Sequence, residues 1–204
     1  MTGLNSFMDL ARERRSVRDF LPDPVPHDLM QRLIDAASWA PSAGNRQDWE
    51  FIVVESAAAK RELASAVRKR WDALLAKAQS GTTESLKNYA SNFDWFANAP
   101  ALVAVTSKTP ADFLEELLGG TASAVSGGRL SAAMAAQNLM LSAHAAGLGS
   151  CCLTGPLAAQ EEMKPILGIS RRREIVCLIA VGRPLHNPPA PVRKPLEKIS
   201  RYIE

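Results

Sequence analysis

Arg14, Arg15, Ser16 and Arg18 gather three guanidiniums and a hydroxyl within five residues. An arginine fork matches phosphate oxygens in pairs and a hydroxyl adds a donor, so the cluster could clamp a phosphate dianion. On charge alone it reads as a solvated basic turn, favourable at a helix C-terminus. A second stretch, WAPSAGNRQDW from Trp39 to Trp49, runs a proline-terminated helix into Ser42, Ala43, Gly44 and Asn45. Exposed backbone donors and small side chains suit a loop lying against a planar ligand, or an ordinary connection from helix to strand. A third, GLGSCCLTGP from Gly147 to Pro156, breaks a strand at Thr154, Gly155 and Pro156, where backbone could approach a ring closely. Its alternative is a helix stop followed by a buried strand. The GLG lies between helix and strand, the reverse of the order in a GxGxxG dinucleotide site. The fourth is the basic pair Arg193 and Lys194, which alone reads as a solvated pair.

Helices and strands must place these residues. Ser6 with Asp9 predicts the start of a short helix, with Phe7, Leu10 and Ala11 on one face, that delivers the arginine cluster at its end. A helix is predicted from His27 to Ala40, stopped by Pro41, then a strand at Trp49–Val54 and a helix over about 57–78. Leu86 to Ala97 reads as helix and ALVAVT from Ala101 as strand. The stretch 129–149 is made of strong helix formers with no formal charge after Arg129 apart from His144, and reads as a rod buried on every side. Gln137, Asn138, Ser142 and His144 interrupt it too often for a membrane span. A short strand near 150–153, a helix over about 158–167 and the strand EIVCLIAVG follow. The tail carries five prolines between Pro184 and Pro195, so it must run extended over a surface.

Length and charge narrow the field. The chain has 204 residues, 47% of them hydrophobic, which supports one good core, and 1–204 reads as a single domain. Residues 109–128 read as a surface excursion or lid and 184–204 as an extended arm. The 24 basic and 21 acidic residues nearly balance, which argues against nucleic acid as the main partner. No apolar leader opens the chain, so a cytoplasmic location is expected. Cys151, Cys152 and Cys177 lack metal-ligand spacing and read as small buried hydrophobes; no metal is expected. The rod needs cover that one chain of this length is hard pressed to supply, which points to a homodimer.

The RRSVR cluster, the APSAGNRQDW loop, the AAQNLMLSAHAAGLGSC rod and the terminal GRP…RKPLE occur in the order and spacing of the FMN-dependent nitroreductase superfamily, and the chain resembles that family from about Arg14 to Ile199. The resemblance implies an α+β fold: a mixed, mainly antiparallel sheet flanked by helices, in an intertwined homodimer with an exchanged C-terminal arm. It implies FMN at the subunit interface. Arg14, Arg15 and Ser16 would contact the phosphate and ribityl chain, with Arg193 and Lys194 closing over the phosphate. Arg18 would be the cation beside the N1/C2 edge, an electrostatic stabiliser. Pro41, Ser42, Ala43, Asn45 and Gln47 would approach from the opposite subunit, and Leu153, Thr154 and Gly155 would line the ring near N5. NAD(P)H would reduce the flavin and a nitroaromatic or quinone would reoxidise it, in a ping-pong cycle that needs no protein nucleophile or base. A flavin-fragmenting, dehalogenating or dehydrogenating enzyme, or a flavin-binding protein without efficient turnover, are the alternatives. His27, His144 and His186 read as a helix-start, a buried or interface, and a tail residue. One departure stands out: Asp48 replaces the proline of the Gln-Pro-Trp run common in the family. It frees the backbone and adds an acid that could be solvated or pair with Arg46 or another arginine.

Overall fold

The computed structural model describes residues 3–77, 93–109 and 127–203. Four strands form one open sheet in the order β1-β2-β4-β3: β1 Trp49–Val54, β2 Ala101–Lys108, β3 Gly149–Leu153 and β4 Arg173–Gly182. Every neighbouring pair is antiparallel. An isolated parallel bridge from Ser16 to Ser150 seats the arginine segment against the free edge of β3, the one parallel element beside the mainly antiparallel sheet that the resemblance implies. The central strands β2 and β4 are almost wholly buried, which explains their unbroken apolar runs.

Alternation along the strands feeds two cores. On one face Val103, Val105, Ile179 and Val181 pack with Leu33 of α2 (His27–Ser38) and Leu139 of α4 (Gly127–Ala145). On the other, Leu102, Ala104, Leu178 and Ala180 pack with Leu63 and Val67 of α3 (Ala57–Leu75) and Met163 of α5 (Gln160–Ile166). The result is an α+β sandwich with helices on both faces of the sheet.

Several expectations need correction. The first helix, α1 (Leu4–Glu13), begins before Ser6, so Ser6 lies within it, and Gly3 precedes it without a side-chain cap. None of α1 is buried, and Leu4 and Phe7 are 75% and 54% exposed. The rod α4 is not buried on every side: α2 and the sheet cover one side, while Leu130 and Met134, four residues apart on the opposite stripe, are 52% and 42% exposed. It spans 127–145, and Gly147, at φ 75°, supplies the stop as Leu148 N–H donates back to the Ala143 carbonyl (2.9 Å). At the end of the helix predicted over 86–97, Trp95–Asn98 forms a 3-10 turn; residues 86–92 lie outside the described residues. The predicted 158–167 helix is a 3-10 turn, Gly155–Ala159, followed by α5. Of the excursion expected over 109–128, residues 110–126 lie outside the described residues, and 127 and 128 open α4. Cys151 and Cys177 are buried as expected, whereas Cys152 is exposed on edge strand β3. Among the described residues no helix is long and apolar enough to cross a membrane.

Candidate functional site

The end of α1 delivers the arginine cluster onto the β3 edge, as its position after a short helix predicts. Val17 N–H donates to the Ser150 carbonyl (3.1 Å), and a side chain at Gly149 would meet Val17 within 2.7 Å, so only glycine lets the segment come this close. Beside the junction lies a cleft of about 370 Å³ lined by Arg14, Arg15, His144, Gly147, Ser150 and Asn187, among others. Ser150 is 1% exposed, and its hydroxyl is the one buried side-chain polar atom without a hydrogen-bond partner among the described residues. Such a group costs on the order of 1–3 kcal/mol unless something satisfies it. The hydroxyl is sealed from the cleft itself, whose charged lining is Arg14 and Arg15 with Glu13; the two guanidiniums outnumber the one carboxylate and suit an anionic ligand. Arg15 also donates to the carbonyls of Arg12 and Arg14 (2.9 Å to the latter), closing the end of α1. Burial pushes the Cys151 thiol up from its ordinary range, and Arg18 and Arg14 oppose the shift, which puts both cations within electrostatic reach of β3.

The loop after α2 is a separate exposed piece. Gly44, Asn45 and Gln47 take φ values of 60°, 53° and 51°. Ser42 Oγ accepts from Gln47 N–H (3.1 Å), and the Gln47 amide donates to Asn45 Oδ1 (3.2 Å). Ala43 N–H donates to Ser131 Oγ (3.3 Å), which fastens the loop to the beginning of α4. Asp48 is not left to solvent: it pairs with Arg46 (3.1 Å) and with Lys108 (3.5 Å), the second partner being a lysine rather than an arginine.

At the far end of β3 the Leu153 side chain is buried in the core beneath α3, so only its backbone is available to a ligand. Thr154 is exposed. Gly155 is held from behind: Trp71 Nε1–H donates to its carbonyl (3.2 Å), Phe93 stacks on Trp71 with centroids 5.4 Å apart, and a Cβ on Gly155 would fall 2.0 Å from the Phe93 ring. Arg193 and Lys194 line a concavity of the exposed arm with Val192, Pro195 and Lys198, apart from the Arg14 cleft. Within one chain, then, the structure joins Arg14, Arg15, Ser16 and Ser150 and leaves the 41–47 loop, the 153–155 turn and the arm as separate pieces. Loop and cleft sit at opposite ends of α4, whose 19 residues span roughly 27 Å.

Sequence reasoning missed the Ser150 hydroxyl and the Trp71–Phe93 clamp. The first had a signal, a serine beside the glycine on which another strand rests; Trp71 read as one more apolar position of an amphipathic helix. His144, read as a buried or interface residue, lines the cleft. Among the described residues no group of three His, Cys, Asp or Glu side chains is arranged to hold a metal.

Comparison with known proteins puts this geometry in context. The chain is 30% identical over 199 residues to an NADH dehydrogenase of Thermus thermophilus, covering 93% of this chain and 92% of that one. Its fold matches a BluB-like flavoprotein of Clostridium difficile 630 with a TM-score of 0.85 and 26% identity, over 97% and 99% of the two chains. It also matches an iodotyrosine deiodinase solved with FMN and 3-iodo-L-tyrosine, at a TM-score of 0.75 and 25% identity over 97% and 98%. The nitroreductase family model spans residues 11–183, from the arginine cluster through the end of β4, and the chain belongs to the nitroreductase family of oxidoreductases.

Proposed function

We propose that this chain is an FMN-dependent oxidoreductase that acts as a homodimer and reduces nitroaromatics, quinones or similar electron-poor acceptors with NAD(P)H. The observation that carries the reading is the β3-edge cleft, where Arg14 and Arg15 lie with Gly149 and Ser150 around one cavity. The charges fit the group: the guanidiniums of Arg14 and Arg15 line the cleft and would hold the phosphate, with Ser16 on the same segment. Bound FMN would supply two-electron chemistry, taking hydride at N5 from a nicotinamide and passing it to the acceptor. Arg18 would hold a fixed positive charge where negative charge develops. The backbone of 153–155, clamped by Trp71 and Phe93, would present a rigid edge to the ring, and Leu153 would not touch it with its side chain.

The separation along α4 supports the dimer reading. The loop is fastened at Ser131 and the cleft reaches His144, roughly 20 Å along α4, which favours a ligand shared between two chains over one shared within a chain. Two rods packed antiparallel along their exposed Leu130–Met134 stripes would set each loop against the other chain's cleft. Arg193 and Lys194 on the exposed arm would likewise close over a site to which the protomer's own fold does not bring them.

The test is the visible spectrum of freshly purified protein, before and after anaerobic NADH and then NADPH. Twin flavin bands that bleach are expected; protein that is colourless and takes up no added FMN would overturn the reading. A second reading, a specialised dehalogenating or flavin-fragmenting member, draws support from the similarity to the deiodinase and the BluB-like flavoprotein. Flavin bands that neither nicotinamide bleaches would favour it.

A further inference from the structure

Asp48 stands where many family members carry proline, and the backbone around it explains what the exchange achieves. A residue that precedes proline is pressed toward extended backbone. Gln47 instead takes φ 51°, a left-handed conformation uncommon for glutamine. In that pose its N–H reaches Ser42 Oγ and its amide reaches Asn45, so that 42–47 closes upon itself. A proline at 48 would oppose the closure.

What proline would rigidify must then be held in another way. The Asp48 carboxylate bridges Arg46 Nε (3.1 Å) and Lys108 Nζ (3.5 Å), the latter at the end of β2. Its carbonyl accepts from Lys108 N–H (3.3 Å) and from Arg173 Nη2 (2.9 Å), at the start of β4. The Asp48 side chain is 15% exposed, against 58% for Arg46 and 64% for Lys108, so the acid is the sheltered node and the cations are its solvated arms.

We propose that Asp48 is a positioning residue: an ionic latch to Arg46 and Lys108 that holds the 42–47 loop in its left-handed pose, from which it completes the flavin site of the other subunit. The inference rests on the FMN and dimer reading above for its consequence, and on this chain's geometry for the latch itself. Ring closure in proline is indifferent to salt, whereas an ionic latch is screened. The pose of the 42–47 loop should therefore depend on salt.

The test uses the full chain and its Asp48→Asn and Asp48→Glu variants, each checked for an unaltered circular-dichroism spectrum. FMN dissociation constants are measured by flavin fluorescence at about 0.05 M and about 0.5 M NaCl. Trypsin cleavage between Arg46 and Gln47 is followed in parallel by mass spectrometry, without flavin. At low salt Asp48→Asn is expected to bind FMN about three- to tenfold more weakly than the parent and to be cut about threefold faster or more. Both gaps close at high salt, and Asp48→Glu recovers most of the parent behaviour. Screening at the phosphate is common to all three proteins, so the difference between them reports the latch. Equal low-salt cleavage of parent and Asp48→Asn, or an affinity gap unchanged by salt, overturns the proposal. If the parent binds no FMN at all, the flavin reading falls and the cleavage rates alone decide the latch.

Discussion

Arg14 faces the cleft, while Arg193 lies on the arm, and the flavin reading asks both to hold one phosphate. Each charge-assisted bond is worth about 1.5–3 kcal/mol, so Arg14→Ala and Arg193→Ala should each weaken FMN binding roughly ten- to 150-fold in a fluorescence titration. Unchanged affinity in both variants would remove the phosphate assignment. Arg15 makes a less clean probe, because it also closes the end of α1 through the carbonyls of Arg12 and Arg14. The place of the arginine cluster at the end of a short helix was legible in the sequence; its phosphate role came only from the resemblance, since charge alone reads as a solvated basic turn. The burial of the Ser150 hydroxyl was not legible, because it depends on the segment of Ser16 and Val17 packing over the β3 edge from about 130 positions away.

The elements were mostly readable where burial is one-sided or total. The central strands declared themselves by unbroken apolar runs, and Pro41 and Gly147 marked where two helices stop. Short turns were harder, because their apolar spacing imitates helix: the 3-10 segments at 95–98 and 155–159 both overlap predicted helices. Buried Lys60 was also invisible, since its partners, the carbonyls of Ala99 and Pro100 (2.8 Å to the latter), lie about forty positions away. Distance in sequence likewise hides the contact of α3 with the 153–155 turn. Gly155→Ala should drive a methyl into the Phe93 ring, now 2.0 Å from where that Cβ would sit, and cost about 1–3 kcal/mol. A thermal melt checks this; a variant as stable as the parent would mean that the ring moves aside freely.

At the level of the whole molecule, most of the large exposed apolar groups among the described residues lie on surfaces that a second copy could cover: the α4 stripe, α1, and an arm where Val192 is 100%, Tyr202 90% and Ile203 85% exposed; Trp39, 82% exposed, stands beside the 41–47 loop. The sequence anticipated this from an apolar rod and a proline-rich tail, but not which side of the rod stays open, since an even distribution of alanine and leucine carries no directional signal. The length of that rod has a genetic consequence. If each site takes its cleft from one chain and its loop from the other, lesions in the two parts should complement. A chain with Arg14→Ala and a chain with Gly44→Pro, which is incompatible with φ 60°, should each bind FMN poorly alone. In a mixed dimer one site inherits both lesions and the other inherits neither. Co-expression should restore about a quarter of the parent's FMN content under random pairing; no recovery would mean that cleft and loop belong to the same chain.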